Sequence, residues 1–219
     1  MAFTITNKGS DLRYNIFSEL PSFTPTAGKL LILTMLRSNT TVVSIVGHGS
    51  WNLIGTRSAG SKRIWMYGLI ASSTPTASTI KVTWGSNSTN EISVTEVDGA
   101  DVSGTFANAI VQFATLDQYN GGGGPFTMTT NLSVFQSPTN LTLLTGMVSG
   151  TTLPEAGYST DFNGTRHVLY YLASEDTTPS YTGTSTFGRV GTVAVEIREE
   201  PTGTVLPILQ YYYARLRNE

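Results

Sequence analysis

Two histidines, His48 and His167, are the only imidazoles in this 219-residue chain, and it has no cysteine. A serine nucleophile needs a base within hydrogen-bond reach and a third group to orient that base. His48 sits between glycines in VGHGSW, at a turn, and His167 opens a strand beside Arg166. There is no G-x-S-x-G elbow, and the sequence places neither histidine beside a particular serine and aspartate, so both read as structural. Glycoside hydrolysis would ask for two carboxylates about 5–9.5 Å apart. Glu91, Glu96, Asp98, Asp101, Glu155 and Asp161 are candidates, but none lies in a glycosidase motif and most fall in turns. Asp98 and Asp101 could present oxygens to calcium, yet DGAD lacks the D-x-[DN]-x-[DN]-G ladder of ligands. The run Gly121–Gly124 is no phosphate loop, because no Lys-Ser/Thr follows it. Without thiols, thiolate zinc sites, disulfides and iron–sulfur clusters are excluded. The expectation is a chain without catalytic residues, metal or cofactor.

The aromatic residues offer a different chemistry. Trp51, Trp65 and Trp84 stand at strand positions in register with aliphatic residues. Trp65 and Trp84 read as core, whereas Trp51, beside Ser50 at a strand start, is the aromatic best placed to face a ligand. Charged residues make up 13% of the chain, about half the usual share. Thr, Ser, Asn and Gly occupy surface positions instead, which suits a protein that packs against neighbours or lives outside a cell. With a net charge of −2 and scattered Lys and Arg, nucleic acid is not an expected partner. The N-terminus lacks the apolar core of a signal peptide, and the longest apolar run is too short to span a bilayer, so no membrane partner is expected.

The elements that must position these residues are strands. Ile80, Val82 and Trp84 alternate with Lys81, Thr83 and Gly85, the period of a half-buried strand. Between Trp51 and Val97, strand-like runs alternate with turn-forming segments, and hairpin turns are predicted at Ala59-Gly60-Ser61 and Ser86-Asn87-Ser88. Glu96 breaks the register of Ile92 and Val94, which predicts a bulge or a strand end. Lys29–Leu36 is apolar on both faces, so Leu31, Leu33 and Met35 are covered either by the chain's own sheets or by a partner. Met128, Thr130, Leu132 and Val134 alternate, and this strand is predicted to pair with Leu141–Val148. In Thr192–Arg198, Val193, Val195 and Ile197 are predicted to face in, with Thr192, Glu196 and Arg198 facing out. About ten strands with almost no helix signal predict an all-β chain, an antiparallel two-sheet sandwich of jelly-roll type.

Three parts follow: residues 1–28 as an arm or edge strand, 29–200 as the sandwich, and 201–219 as a tyrosine-rich segment. Prolines 21 and 25 oppose helix in the first part, whose apolar start is Phe3 and Ile5. In the last part Tyr211, Tyr212 and Tyr213 precede Arg215 and Arg217, which reads either as a final core strand or as a docking segment.

The order WNLIGTRSAGSKRIWMYGLIAS, STPTASTIKVTWG, EISVTEVDGAD, with RHVLYYLA and GTVAVEIRE as closing strands, resembles a β-sandwich module of tailed-phage virion proteins. The resemblance spans roughly residues 42–200 and rests on structural motifs without a ligand signature. It implies a non-enzymatic virion protein, made in the host cytoplasm, of the capsid decoration (cement) type. The implied partners are other virion subunits, the major capsid protein first, and a homo-oligomer such as a trimer. The docking residues expected on this reading are Phe3, Ile5, Leu31, Leu33, Met35, Tyr211, Tyr212, Tyr213, Arg215 and Arg217. The alternative is a carbohydrate- or receptor-binding module of a tail or fibre, with Trp51 facing the ligand.

Overall fold

The computed structural model describes residues 3–38, 41–119, 124–150 and 152–201. The chain is nearly all β and every strand pairing is antiparallel. The first sheet comprises β1 (Thr4–Glu19), β6 (Lys81–Asp98), β2 (Leu30–Ser38), β5 (Lys62–Ile70) and β4 (Asn52–Ala59) in that order, with β3 (Val42–Val46) also on β6. The second is β11 (Ser159–Asn163), β12 (His167–Leu172), β9 (Leu141–Met147), β14 (Arg189–Ile197) and β7 (Ile110–Tyr119). A third, smaller sheet holds β10 (Thr152–Pro154), β13 (Ser180–Thr184) and β8 (Pro125–Thr129). One helical turn, α1 (Phe106–Ala109), precedes β7.

The three sheets stack as layers. Leu30, Ile32, Leu36, Ile64 and Met66 of the first sheet meet Leu143, Met147, Val193 and Val195 of the second in one continuous core. The other face of the second sheet is covered too, and this corrects the expectation of two layers. Tyr181 of β13 lies directly over Gly146 of β9, where any Cβ would collide with its ring. Its hydroxyl donates to the Met147 carbonyl at 2.9 Å. Thr192 and Glu196, predicted to face out, are fully buried as well. Thr192 bonds Thr130 at 2.6 Å, and Glu196 accepts from Gln112, Asn140 and the Gln136 N–H.

A second core lies on the far side of the first sheet. Trp84 is eight residues from Ile92 on β6, about 26 Å along a straight strand. Yet its ring centroid is 5.5 Å from that of Trp65, whose neighbour across β2 is level with Ile92. Strand β6 must therefore curl back over the sheet, and β1 curls with it through a register slip between Asn15 and Phe17, as bulges allow. The enclosed cluster is Leu20, Leu33, Met35, Trp65, Ile80, Val82, Trp84, Ile92 and Val94. The predicted hairpin at Ser86-Asn87-Ser88 does not form, because β6 runs on through it as one strand; Ser88 pairs with Asn15 of β1, and residues 84–87 fall in the register slip. The turn at Gly60 forms as predicted, with φ +60° at the glycine and Ala59 opposite Lys62. The predicted pairing of β8 with β9 does not occur; β8 pairs with β13, and β9 with β12 and β14. Residues 130–135 leave the sheet, and Val134 is exposed.

Candidate functional site: an open sheet edge beside a sealed polar cluster

Among the residues expected to dock, Leu31, Leu33 and Met35 are fully buried on β2, between β5 and β6. Of the two readings of a doubly apolar strand, cover by the chain's own elements is the one realised. These three residues offer no docking surface, which corrects that expectation. Phe3 and Ile5 are half-buried against the main core, with Ile5 on β1. Tyr211, Tyr212, Tyr213, Arg215 and Arg217 lie outside the described residues, as does the glycine run up to Gly123. Trp51 is half-buried against the second core, and its indole N–H donates to the Gly47 carbonyl at 3.0 Å. Residues 4–19 form an edge strand of the sandwich.

The structure brings together a constellation that sequence reading missed. The Glu91 carboxylate accepts the His167 Nδ1 hydrogen at 3.0 Å, and His167 Nε2 lies 3.1 Å from Thr34 Oγ1 and 3.4 Å from Ser93 Oγ. Thr34 and Ser93 also bond each other at 2.7 Å. This is the acid–histidine–hydroxyl order of a hydrolase triad. However, Thr34, Ser93 and His167 are fully buried between the first two sheets. A cleft formed by Ser10, Leu12, Phe162 and Asn163 reaches Glu91 from outside but stops there. A nucleophile must touch its substrate, and neither hydroxyl can.

The cluster instead fastens one sheet to the next. Glu91 also accepts the backbone N–H groups of Thr165, Arg166 and His167, each at 2.8 Å, and so clamps the turn between β11 and β12. Burial pushes the Glu91 carboxyl up, but the His167 imidazole and these N–H donors outweigh it and hold it below the ordinary glutamate range. Beside it, Asp161 accepts from Thr95 and Asn7, and burial keeps its carboxyl above the usual aspartate value. Glu96, where a bulge was predicted, stays in the strand because its charge is matched: Thr26 donates through N–H and hydroxyl, and Lys8 sits 3.1 Å away. The one sequence signal for the cluster was Thr34, a lone hydroxyl inside LLILTML. His167, Ser93 and Glu91 are brought there by topology alone.

His48, the other imidazole, adopts φ +62° between two positive-φ glycines and stacks on Phe23 at 4.5 Å. Burial lowers its pKa against an opposing bond to the Ser78 carbonyl. It borders a cleft of about 270 Å³ with Pro25, Ser72, Thr74, Thr76 and Ser78. Asp98 pairs with Lys29 at 2.5 Å and Asp101 with Ser103 at 2.6 Å, so each carboxylate has a protein partner.

The longest strand at a sheet edge, among the described residues, is β1. It ends the first sheet, and among the described residues no strand pairs its outer edge. On one face Leu12, Tyr14 and Ile16 are 47%, 72% and 45% exposed. A long edge with apolar side chains is the feature that folded proteins ordinarily shorten, charge or cover.

Comparison with known proteins adds little to this geometry. No family model and no curated protein matches the chain. Among solved structures, a conserved protein of unknown function from Pseudomonas aeruginosa is 11% identical over 87% of this chain and 81% of that one, with a TM-score of 0.26. The N-terminal domain of a Streptococcus gordonii adhesin is 9% identical over 86% of this chain and 55% of that one, with a TM-score of 0.20. Both scores are too low to carry fold or function across.

Proposed function

We propose that the chain is a non-enzymatic structural subunit of a virion that works by docking, most specifically a capsid decoration protein of a tailed-phage head. The observation that carries this reading is the open β1 edge with Leu12, Tyr14 and Ile16 exposed along it. Unpaired backbone groups and apolar side chains together are what strand-addition interfaces use. The weakly charged, hydroxyl-rich surface supports the same conclusion, and the sequence resemblance supplies the virion setting and the major capsid protein as partner. The jelly-roll type belongs to this proposal, supported by stacked antiparallel sheets whose neighbouring strands are distant in sequence.

The test is incubation of the purified chain with expanded tailed-phage heads, followed by sedimentation. Co-sedimentation that saturates, and that Tyr14→Asp weakens, is the expected result. A chain that never joins particles but is retained on immobilised glycans would replace this reading with the receptor-binding one. That second reading has its own observation: the cleft lined by hydroxyls beside the strained His48. A glycan-array signal abolished by His48→Ala would favour it.

A further inference from the structure

The β1 edge is bracketed by two irregularities. Its register against β6 slips between Asn7 and Gly9, around Lys8, and again between Asn15 and Phe17, around Ile16. At each slip a neighbouring side chain takes up a backbone donor: Asn7 Oδ1 accepts the Gly9 N–H at 2.9 Å, and Asn15 Oδ1 accepts the Ile16 N–H at 2.7 Å. Between the slips Gly9–Asn15 pair with Val94–Ser88 without interruption. Leu12 is the midpoint of that regular stretch.

We infer that the partner of this edge is a second copy of the same chain, joined β1 to β1 by a two-fold axis through Leu12. Antiparallel pairing about Leu12 sets residues equally far before and after it opposite one another. The two slips then fall opposite one another, Lys8 against Ile16, and both lie outside the regular Gly9–Asn15 ladder. Ser10 meets Tyr14, Leu12 meets Leu12, and Asp11 of each copy meets Arg13 of the other. Asp11 and Arg13 already pair within the chain at 2.6 Å, and both are anchored on Glu19: the Glu19 N–H donates to Asp11 at 3.1 Å and Arg13 donates to the Glu19 carbonyl at 3.3 Å. The dimer would hold four alternating charges in a row on one face and the Leu12 and Tyr14 side chains on the other. An isologous interface demands this self-complementarity, whereas a foreign strand does not. Opposite charges directly across an antiparallel pair stabilise it, and like charges oppose it.

The inference rests on the docking proposal but assigns the β1 edge to contact between two copies, which leaves capsid contact to the remaining surface of the dimer; it is tested without particles, so either can fail alone. Because the chain has no cysteine, Leu12→Cys creates a single thiol on the axis. Directly opposed Cβ atoms lie about 4.5–5.5 Å apart, close to the reach of a disulfide. Under mild oxidation L12C is expected to convert to a covalent dimer, while Val134→Cys, more exposed but remote, stays monomeric at the same concentration. Light scattering of the unmodified chain over a concentration series is expected to approach the dimer mass. Asp11→Arg, which sets Arg against Arg at both ends, is expected to weaken the dimer by about tenfold or more. The double swap D11R/R13D is expected to restore it. A monomer at every concentration, a trimer mass, cross-linking of V134C as fast as L12C, or a D11R chain that dimerises as well as the original would each overturn the inference.

Discussion

Strands β1 and β2 flank the same strand, β6, over much of its length, and their fates are opposite. Strand β2 is apolar on both faces and every residue from Leu30 to Arg37 is buried. Strand β1 alternates, keeps one edge unpaired, and shows Leu12, Tyr14 and Ile16 to solvent. Apolar content alone therefore points away from the proposed docking surface. A strand rich on both faces has already been enclosed by its own sheets, whereas the strand that can still bind is the one whose hydrophobic residues come every second position beside polar ones.

The largest test of the contrast exchanges one residue in each strand. Leu33→Asp sets a carboxylate in the Trp65–Trp84 core without a partner, and we expect no cooperatively folded protein. Leu33→Ala is expected to cost about 2–5 kcal/mol in urea unfolding. Leu12→Asp is expected to change unfolding by about 0.5 kcal/mol or less while abolishing self-association. Equal losses at Leu33 and Leu12 would mean that β1 is as enclosed as β2.

The next effect concerns what β6 contributes to the sealed side. Removing Glu91 leaves three N–H groups and the His167 imidazole unmatched inside the protein. Glu91→Ala is therefore expected to destabilise by about 3–5 kcal/mol. The sign with pH follows from a carboxyl held below its ordinary value: its contribution is present above the unfolded glutamate range, about pH 4.3, and fades as pH falls through the folded value. Thermal melts across the acid range should show the original chain losing stability more steeply than Glu91→Gln. A parallel pair of curves would contradict the clamp.

How far these features could be read in advance differs by kind. Alternation located the start of β6 and β14, and Gly60 announced its turn, because side-chain period and glycine conformation are local properties. Ser86-Asn87-Ser88 looked like a turn by composition, but it lies at a slip inside β6, where only Ser88 has a partner on β1, and a continuing strand leaves no mark on that tripeptide. Thr192 and Glu196 looked solvated because what covers them comes from elsewhere in the chain: Thr130 over Thr192, and Gln112, Gln136 and Asn140 around Glu196. Glu91 and His167 lie 76 residues apart, and no spacing rule links them. Leu31, Leu33 and Met35 misled for a plainer reason: partner cover and self cover write the same apolar pattern. The edge itself was half legible. Prolines 21 and 25 marked an extended leader, while the alternation of Leu12, Tyr14 and Ile16 needed the position of β1 in the sheet to acquire meaning.

A mid-sized effect probes the closed side from its outer layer. Gly146→Ala drives a methyl group into the Tyr181 ring, fixed there by its bond to the Met147 carbonyl. Overpacking of this kind is expected to cost about 1–3 kcal/mol. Pairing it with Tyr181→Leu, which clears the ring, should give less than the sum of the two losses. Additive losses in urea unfolding would place the ring elsewhere.

The smallest expected change has the opposite sign and separates two carboxylates in one interface. Asp161 faces Thr95 and Asn7, neither of which carries charge, and burial holds its carboxyl above the ordinary aspartate value. A carboxyl raised in this way favours the folded state most at pH below its unfolded value, and that contribution is lost as pH rises through the folded value. At neutral pH the charge is therefore a burden that Asp161→Asn removes. The asparagine oxygen can still accept the Thr95 hydroxyl hydrogen. We expect the variant to equal or exceed the original chain in melting temperature at pH 7 and to lose that advantage in acid, the reverse of Glu91→Gln. The two curves together distinguish a carboxylate that clamps a turn from one merely enclosed between sheets, and a destabilised Asp161→Asn at pH 7 would assign both to the first kind.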